Sequence, residues 1–128
     1  MPPIEQLQRV PVLLLERLER QGVFTTGLLL EVSETRTRRV YLADQIGVTT
    51  NDIDDWRDEA LLLNLAAFGP TEQRILTQAG ITGIDGVLEL DLPTFRERVG
   101  SAARTLDLPV PTDLAIAGWY GQAHTLVE

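Results

Sequence analysis

Apolar residues return along this chain at spacings of three and four, and Leu7, Val10, Leu14, Leu15 and Leu18 form the first such stripe. That spacing gathers one apolar face on a helix, since about 3.6 residues complete a turn. Pro11 cannot sit deep inside a helix, because it lacks an amide donor and its ring clashes with the preceding turn. The first predicted helix therefore runs from about Pro11 to Gln21, and Gly22 follows its end, where a left-handed residue is easiest for glycine. Thr25 or Thr26 then starts a short helix carrying Leu28 to Val32. A third runs from about Glu34 to Gln45, with Val40, Leu42, Ala43 and Ile46 as its buried side and Gly47 as its end. Thr49-Thr50-Asn51-Asp52 is a cluster of side chains suited to accepting the free amides of a first helical turn. It opens a helix through Trp56 to about Leu63.

The second half repeats this plan. Leu18-Glu19-Arg20-Gln21-Gly22-Val23 is echoed by Leu76-Thr77-Gln78-Ala79-Gly80-Ile81, and Leu29-Leu30-Glu31-Val32 by Val87-Leu88-Glu89-Leu90. Thr49, Ile53, Trp56, Ala60 and Leu63 recur in the same spacing as Thr112, Ile116, Trp119, Ala123 and Leu126. Gly69-Pro70 opens a helix that Gly80 closes, since proline is tolerated in a first turn. A short helix holds Val87 to Leu90, and Asp91 caps another through Phe95, Val99, Ala102, Ala103 and Leu106. Leu108-Pro109-Val110-Pro111 is extended, because proline restrains the residue before it. Thr112 or Asp113 caps the last helix. Val23-Phe24-Thr25 is too short to make a strand. The expected fold is all-α: one domain over 1–128, built from two tandem four-helix repeats, about 5–64 and about 65–128, packed as one compact unit.

The length of 128 residues suits one such domain. No apolar run approaches the roughly 20 residues of a bilayer-spanning helix, and Met1 to Glu5 lacks the basic and apolar pattern of a secretory signal. Cytoplasm is the expected compartment. Cysteine is absent, which excludes disulfides, thiolate metal sites and cysteine nucleophiles. The net charge is −8, and all 11 basic residues are arginine. Duplex binding draws its affinity from neutralised phosphates, so this charge disfavours nucleic acid and suits a basic partner.

Ala67-Phe68-Gly69-Pro70, followed by Leu76 and Ala79-Gly80-Ile81, resembles a helix-hairpin-helix unit. Such a resemblance implies hairpin amides that approach a phosphate beside a helix N-terminus. Pro70 removes one donor, Glu72 stands where a phosphate binder prefers a cation, and the first copy, Arg9-Val10-Pro11, has no hairpin glycine. Packing is therefore the expected role of these turns. Over about Arg39 to Leu88, the residues Arg39, Leu42-Ala43, Ile46-Gly47-Val48, Ile53, Trp56, Ala60-Leu61, Phe68-Gly69, Leu76 and Ala79-Gly80-Ile81 resemble the domain of unknown function 4332 family. That family is itself similar to helix-hairpin-helix proteins. The resemblance implies a fold and leaves activity open. Its usual Gly-Ile-Gly turn is replaced here by Phe68-Gly69-Pro70.

Arg36, Arg38 and Arg39, and again Arg96, Arg98 and Arg104, lie in matching helices and are the candidate contacts for a partner or an anion. Glu34, Asp44 and Glu97 stand close enough to balance them as a solvated face. The acidic run Asp52, Asp54, Asp55, Asp58 and Glu59 lacks the turn glycine of a calcium loop, having Trp56-Arg57 there, and acids are favoured in a first helical turn in any case. His124 is the only histidine and has no base-and-orienter companion; neither catalytic residues nor a metal or other cofactor is expected. Trp56 and Trp119 are expected to anchor the last helix of each copy. The function that fits is a non-enzymatic adaptor or scaffold binding another protein or a second copy of itself. The alternative is a nucleic-acid-associated module using the arginine-bearing helices.

Overall fold

The computed structural model describes residues 2–126, and among them the chain forms eight α-helices and no strand. They are α1 (Val12–Arg20), α2 (Thr26–Val32), α3 (Arg36–Ile46), α4 (Thr50–Leu63), α5 (Pro70–Gln78), α6 (Ile84–Leu88), α7 (Leu92–Thr105) and α8 (Asp113–Thr125). A single turn of 3-10 helix, Ile4–Gln6, precedes them. The chain divides into two compact units, Met1–Asn64 and Leu65–Glu128.

Local chemistry decides where the helices begin. Thr25, Thr35, Thr49, Asp91 and Thr112 each accept an amide two or three residues into the following helix. Each such cap stabilises its helix by about 1 kcal/mol. Asp52 completes a reciprocal capping box at α4, its carboxylate accepting the Thr49 amide at 3.0 Å. The cap at Thr35 starts α3 at Arg36 rather than at Glu34. In the second unit α6 starts at Ile84, three residues before Val87, because Ile84 is itself part of the apolar face and is 1% exposed.

Chain reversals after α1 and α5 share one geometry. Gly22 has φ +82° and Gly80 φ +81°. In each case the glycine amide and the next amide close on carbonyls of the last turn: Val23 on Leu18, Ile81 on Leu76. After α7 the same left-handed place is filled by Asp107, at φ +55°. An L-residue there is strained by roughly 1 kcal/mol. Asp107→Gly is therefore expected to raise the stability of the protein by about that amount, and Gly80→Ala to lower it similarly, both read from chemical-denaturation midpoints.

In the first unit α2 and α3 pack on α4, and α1 on α3; in the second, α6 and α7 pack on α8, and α5 on α7. The matched residues of the two last helices all point inward up to their final pair. Ile53, Trp56 and Ala60 are buried, as are Ile116, Trp119 and Ala123. The series breaks at Leu126, which is 48% exposed where Leu63 is buried. Val40, expected on the buried side of α3, is 47% exposed. Leu42, Ala43 and Ile46 already fill the contact with the neighbouring helices, and Val40 falls outside that arc. Val23-Phe24-Thr25 forms no strand, although Thr25 makes an isolated antiparallel bridge to Pro3 and so ties the N-terminal arm to the start of α2.

Candidate functional site

The turns preceding α1 and α5 are those where the helix-hairpin-helix resemblance implies amides directed at an anion. In the first, the amides of Gln8 and Arg9 both donate to one carboxylate, that of Glu59 on α4, at 2.8 and 3.0 Å. Glu59 is 2% exposed. Burial pushes its pKa up, against the opposing pull of those two amides and of the Arg9 cation. The Arg9 guanidinium turns to the other acids of the same helix, reaching Asp58 at 2.9 Å and Asp55 at 3.2 Å. In the second turn the Gly69 amide donates to Glu72 at 2.8 Å. A carboxylate of the protein itself thus holds two amides of the first turn and the Gly69 amide of the second. Glu72, which a phosphate would meet as a repelling charge, is the acceptor that satisfies this turn.

A second device joins the start of each unit to its last helix. The Gln8 amide donates to Glu59 on α4, and the Ala66 amide donates to Gln122 Oε1 on α8 at 3.0 Å. Trp119 adds a bond from Nε1 to the Ala66 carbonyl at 3.0 Å, and its ring meets the edge of Phe68 with centroids 5.6 Å apart. The hydrogen-bonding role of Glu59 has no signature in the sequence. Its acidic neighbours read as favourable charges in a first helical turn, and only the fold brings residues 8 and 59 together.

The six candidate arginines meet different fates. Arg39 pairs with Asp54 at 3.2 Å and donates to the carbonyls of Ser33 and Glu34. Arg38 donates to the Glu31 carbonyl at 3.1 Å and lies 3.7 Å from Glu34. Arg96 lies 3.4 Å from Asp113. Arg36, Arg98 and Arg104 are exposed, with the Arg104 guanidinium lying over Gly100 of its own helix. Arg38 and Arg39 thus close the turn between α2 and α3. The balancing acids beyond Glu34 come from neighbouring helices, Asp54 and Asp113, rather than from Asp44 and Glu97. Two further arginines hold helix ends: Arg17 donates to the Ile46 carbonyl at 2.8 Å, and Arg57 to the Leu30 carbonyl at 3.0 Å and to Ser33. Burial, and then the nearby Arg39, pull the Arg57 pKa below its usual value.

His124 Nδ1 lies 2.9 Å from the Tyr120 carbonyl, one turn back, and its ring packs against Tyr120. Among the described residues no group of three His, Cys, Asp or Glu side chains is arranged to hold a metal ion. No helix among them is long and apolar enough to cross a membrane. The acids of α4 serve as a capping box, as partners of Arg9 and Arg39, and as the buried acceptor Glu59.

A family model matches residues 13–126, and the chain belongs to that family, described as Domain of unknown function (DUF4332). No curated protein and no solved structure matches the chain.

Proposed function

For this member of a family without an assigned activity, we propose a non-enzymatic adaptor of the cytoplasm, built from two versions of one four-helix unit, that binds another protein. The observation carrying this reading is the occupation of both anion-facing turns by internal carboxylates, Glu59 and Glu72. A nucleic-acid module of the helix-hairpin-helix kind would need those amides for phosphate. Three of the six candidate arginines, Arg38, Arg39 and Arg96, are also partnered by acids of the same unit. What the surface offers instead is apolar. Val12 and Leu13 are 83% and 60% exposed on α1, and Tyr41 is 65% exposed beside Val40 on α3. Adjacent exposed apolar side chains of this size mark interaction surfaces more often than single ones do.

The recurrence of the left-handed glycine, the inward Trp and the amide-to-α4 or amide-to-α8 bond supports the two-version reading. Affinity capture from the native source is expected to recover one protein that re-forms a complex of fixed stoichiometry with the purified chain, judged by light scattering. No salt-sensitive gel shift is expected with duplex DNA or with RNA. A shift abolished by the double change Arg38→Glu and Arg39→Glu, without any stoichiometric protein partner, would overturn the proposal in favour of nucleic acid.

A further inference from the structure

A cleft in the first unit lies between the end of α1, the end of α2 and the outer side of α3. Val23, Val32 and Leu42 give it an apolar floor and Tyr41 a wall, and it encloses about 260 Å³. Arg38 is the only charged residue among those lining it. Gln21 and Gln45 also border a second depression, of about 360 Å³, to which Arg17 and Arg20 contribute together with Asp44. Three arginines and one aspartate thus flank two adjoining hollows in a chain of net charge −8.

The second unit has a smaller depression at the matching place, and it keeps the cation. The amide of Val48 closes on Ala43 at the end of α3, and that of Leu108 closes on Ala103 at the end of α7. Matching these ends sets Arg98 at the position of Arg38, Ser101 at that of Tyr41 and Ala102 at that of Leu42. Arg98, Ser101 and Ala102 all line the second depression, and Arg98 is again the only charge there. Ser101 and Ala102 are small where Tyr41 and Leu42 are large, while an arginine stands at both places. Both arginines are exposed.

We propose that the cleft of the first unit binds an acidic peptide segment of a partner protein. One apolar side chain of the peptide rests on Val23, Val32 and Leu42, and flanking carboxylates meet Arg38 and Arg20. The proposal rests on the adaptor reading and names the chemistry of its partner. Small-molecule sites usually begin near 300 Å³, so a hollow of about 260 Å³ suits one side chain better than a cofactor. The guanidinium fork favours a planar carboxylate. Glu34 and Glu16, the neighbours of Arg38 and Arg20, are exposed, and such surface pairs contribute little. An incoming carboxylate therefore competes with them while Arg38 keeps its bond to the Glu31 carbonyl. A short peptide carries few charges and meets little of the repulsion that a net charge of −8 presents to a polyanion.

The test titrates the full chain into a fluorescein-labelled peptide, Asp-Glu-Leu-Leu-Asp-Glu, at low salt, with its lysine counterpart and an oligothymidylate of similar length as comparisons. The acidic peptide is expected to bind at least about tenfold more tightly than the lysine peptide, and to weaken with added salt. Arg38→Glu is expected to weaken it at least about tenfold, whereas Arg98→Glu leaves it unchanged. Arg38 is exposed, and an unchanged circular dichroism melt verifies that the variant folds; Tyr41→Ala also weakens binding by removing the wall without adding charge. Equal binding by wild type and the Arg38→Glu variant overturns the proposal, as does tighter binding of oligothymidylate through Arg38. If a stoichiometric partner is captured equally by the Arg38→Glu variant, the cleft assignment fails while the adaptor reading stands. If no partner is captured, the adaptor reading itself fails.

Discussion

Trp119→Ala is expected to lower the stability of the protein by about 3–5 kcal/mol, the range for emptying a buried aromatic site. Trp119 is 2% exposed, and its indole holds three things at once. The ring fills the centre of the second unit beside Ile116 and Ala123, meets Phe68 edge-on, and donates to the Ala66 carbonyl. Removing it leaves a cavity and unties the segment before α5. For a unit of this size such a loss lowers the thermal midpoint by more than about 10 °C. Trp119→Phe keeps most of the packing and forfeits the carbonyl bond, at about 1–2 kcal/mol. Trp56→Phe is expected to cost less than Trp119→Phe, because Trp56 makes no such carbonyl bond among the described residues. Urea unfolding of the three variants checks the order; a Trp119→Ala protein as stable as wild type would show that the site is not packed as described.

The second large effect is at Glu59. Glu59→Ala strips both Gln8 and Arg9 of the acceptor that orients the N-terminal arm, and is expected to cost about 2–4 kcal/mol. The loss is smaller than two charge-assisted bonds in isolation, because the variant also avoids burying a carboxylate. Glu59→Gln keeps one acceptor but turns an amide donor toward the other backbone donor, and is expected to cost about 1–2 kcal/mol. The two proteins differ in pH dependence as well. Burial raises the folded-state pKa of Glu59 above its ordinary 4.5, so the folded state holds that proton more tightly than the unfolded chain. The resulting stability is fully present below 4.5 and is lost as pH rises through the raised value. Asp91 shifts the other way. The Thr94 side chain and then its backbone amide hold its pKa below the ordinary 3.8, so its contribution is lost as pH falls through the lowered value. Asp91 acts equally in both proteins and cancels in their difference. The stability advantage of wild type over Glu59→Gln should therefore shrink as pH rises from about 4 to about 8, measured by urea midpoints. A gap that widens over that range would contradict the direction of the Glu59 shift.

Helix boundaries were legible in the sequence wherever a side chain acts on its own neighbourhood. Thr25, Thr49, Asp91 and Thr112 cap the helices they were expected to open, and Gly22, Gly47 and Gly80 take the left-handed turn that ends them. Trp56 and Trp119 could be placed in the interior from spacing and size alone. Spacing failed where the width of a buried face was at stake. Val40 lies next to apolar positions on α3, but whether the arc reaches it depends on how closely α3 meets its neighbours. Leu126 failed for the same reason at the end of α8.

The polar sites show the division most sharply. From sequence, Glu72 was a repelling charge and Glu59 one acid among several. In the structure Glu59 accepts two amides of the turn before α1, and Glu72 accepts the Gly69 amide at the start of α5. Periodicity and turn chemistry, which act within a few residues, determined the all-α fold and the helix ends. Tertiary structure alone decided which charges are spent internally, because Glu59 and Gln8 are 51 positions apart and meet only when α4 packs beneath the N-terminal arm. It also decided where each arginine goes. Arg39 reaches Asp54 on the neighbouring helix, whereas Arg38, one position earlier, meets the Glu31 carbonyl and Glu34 at its own turn and lines the cleft beside α3.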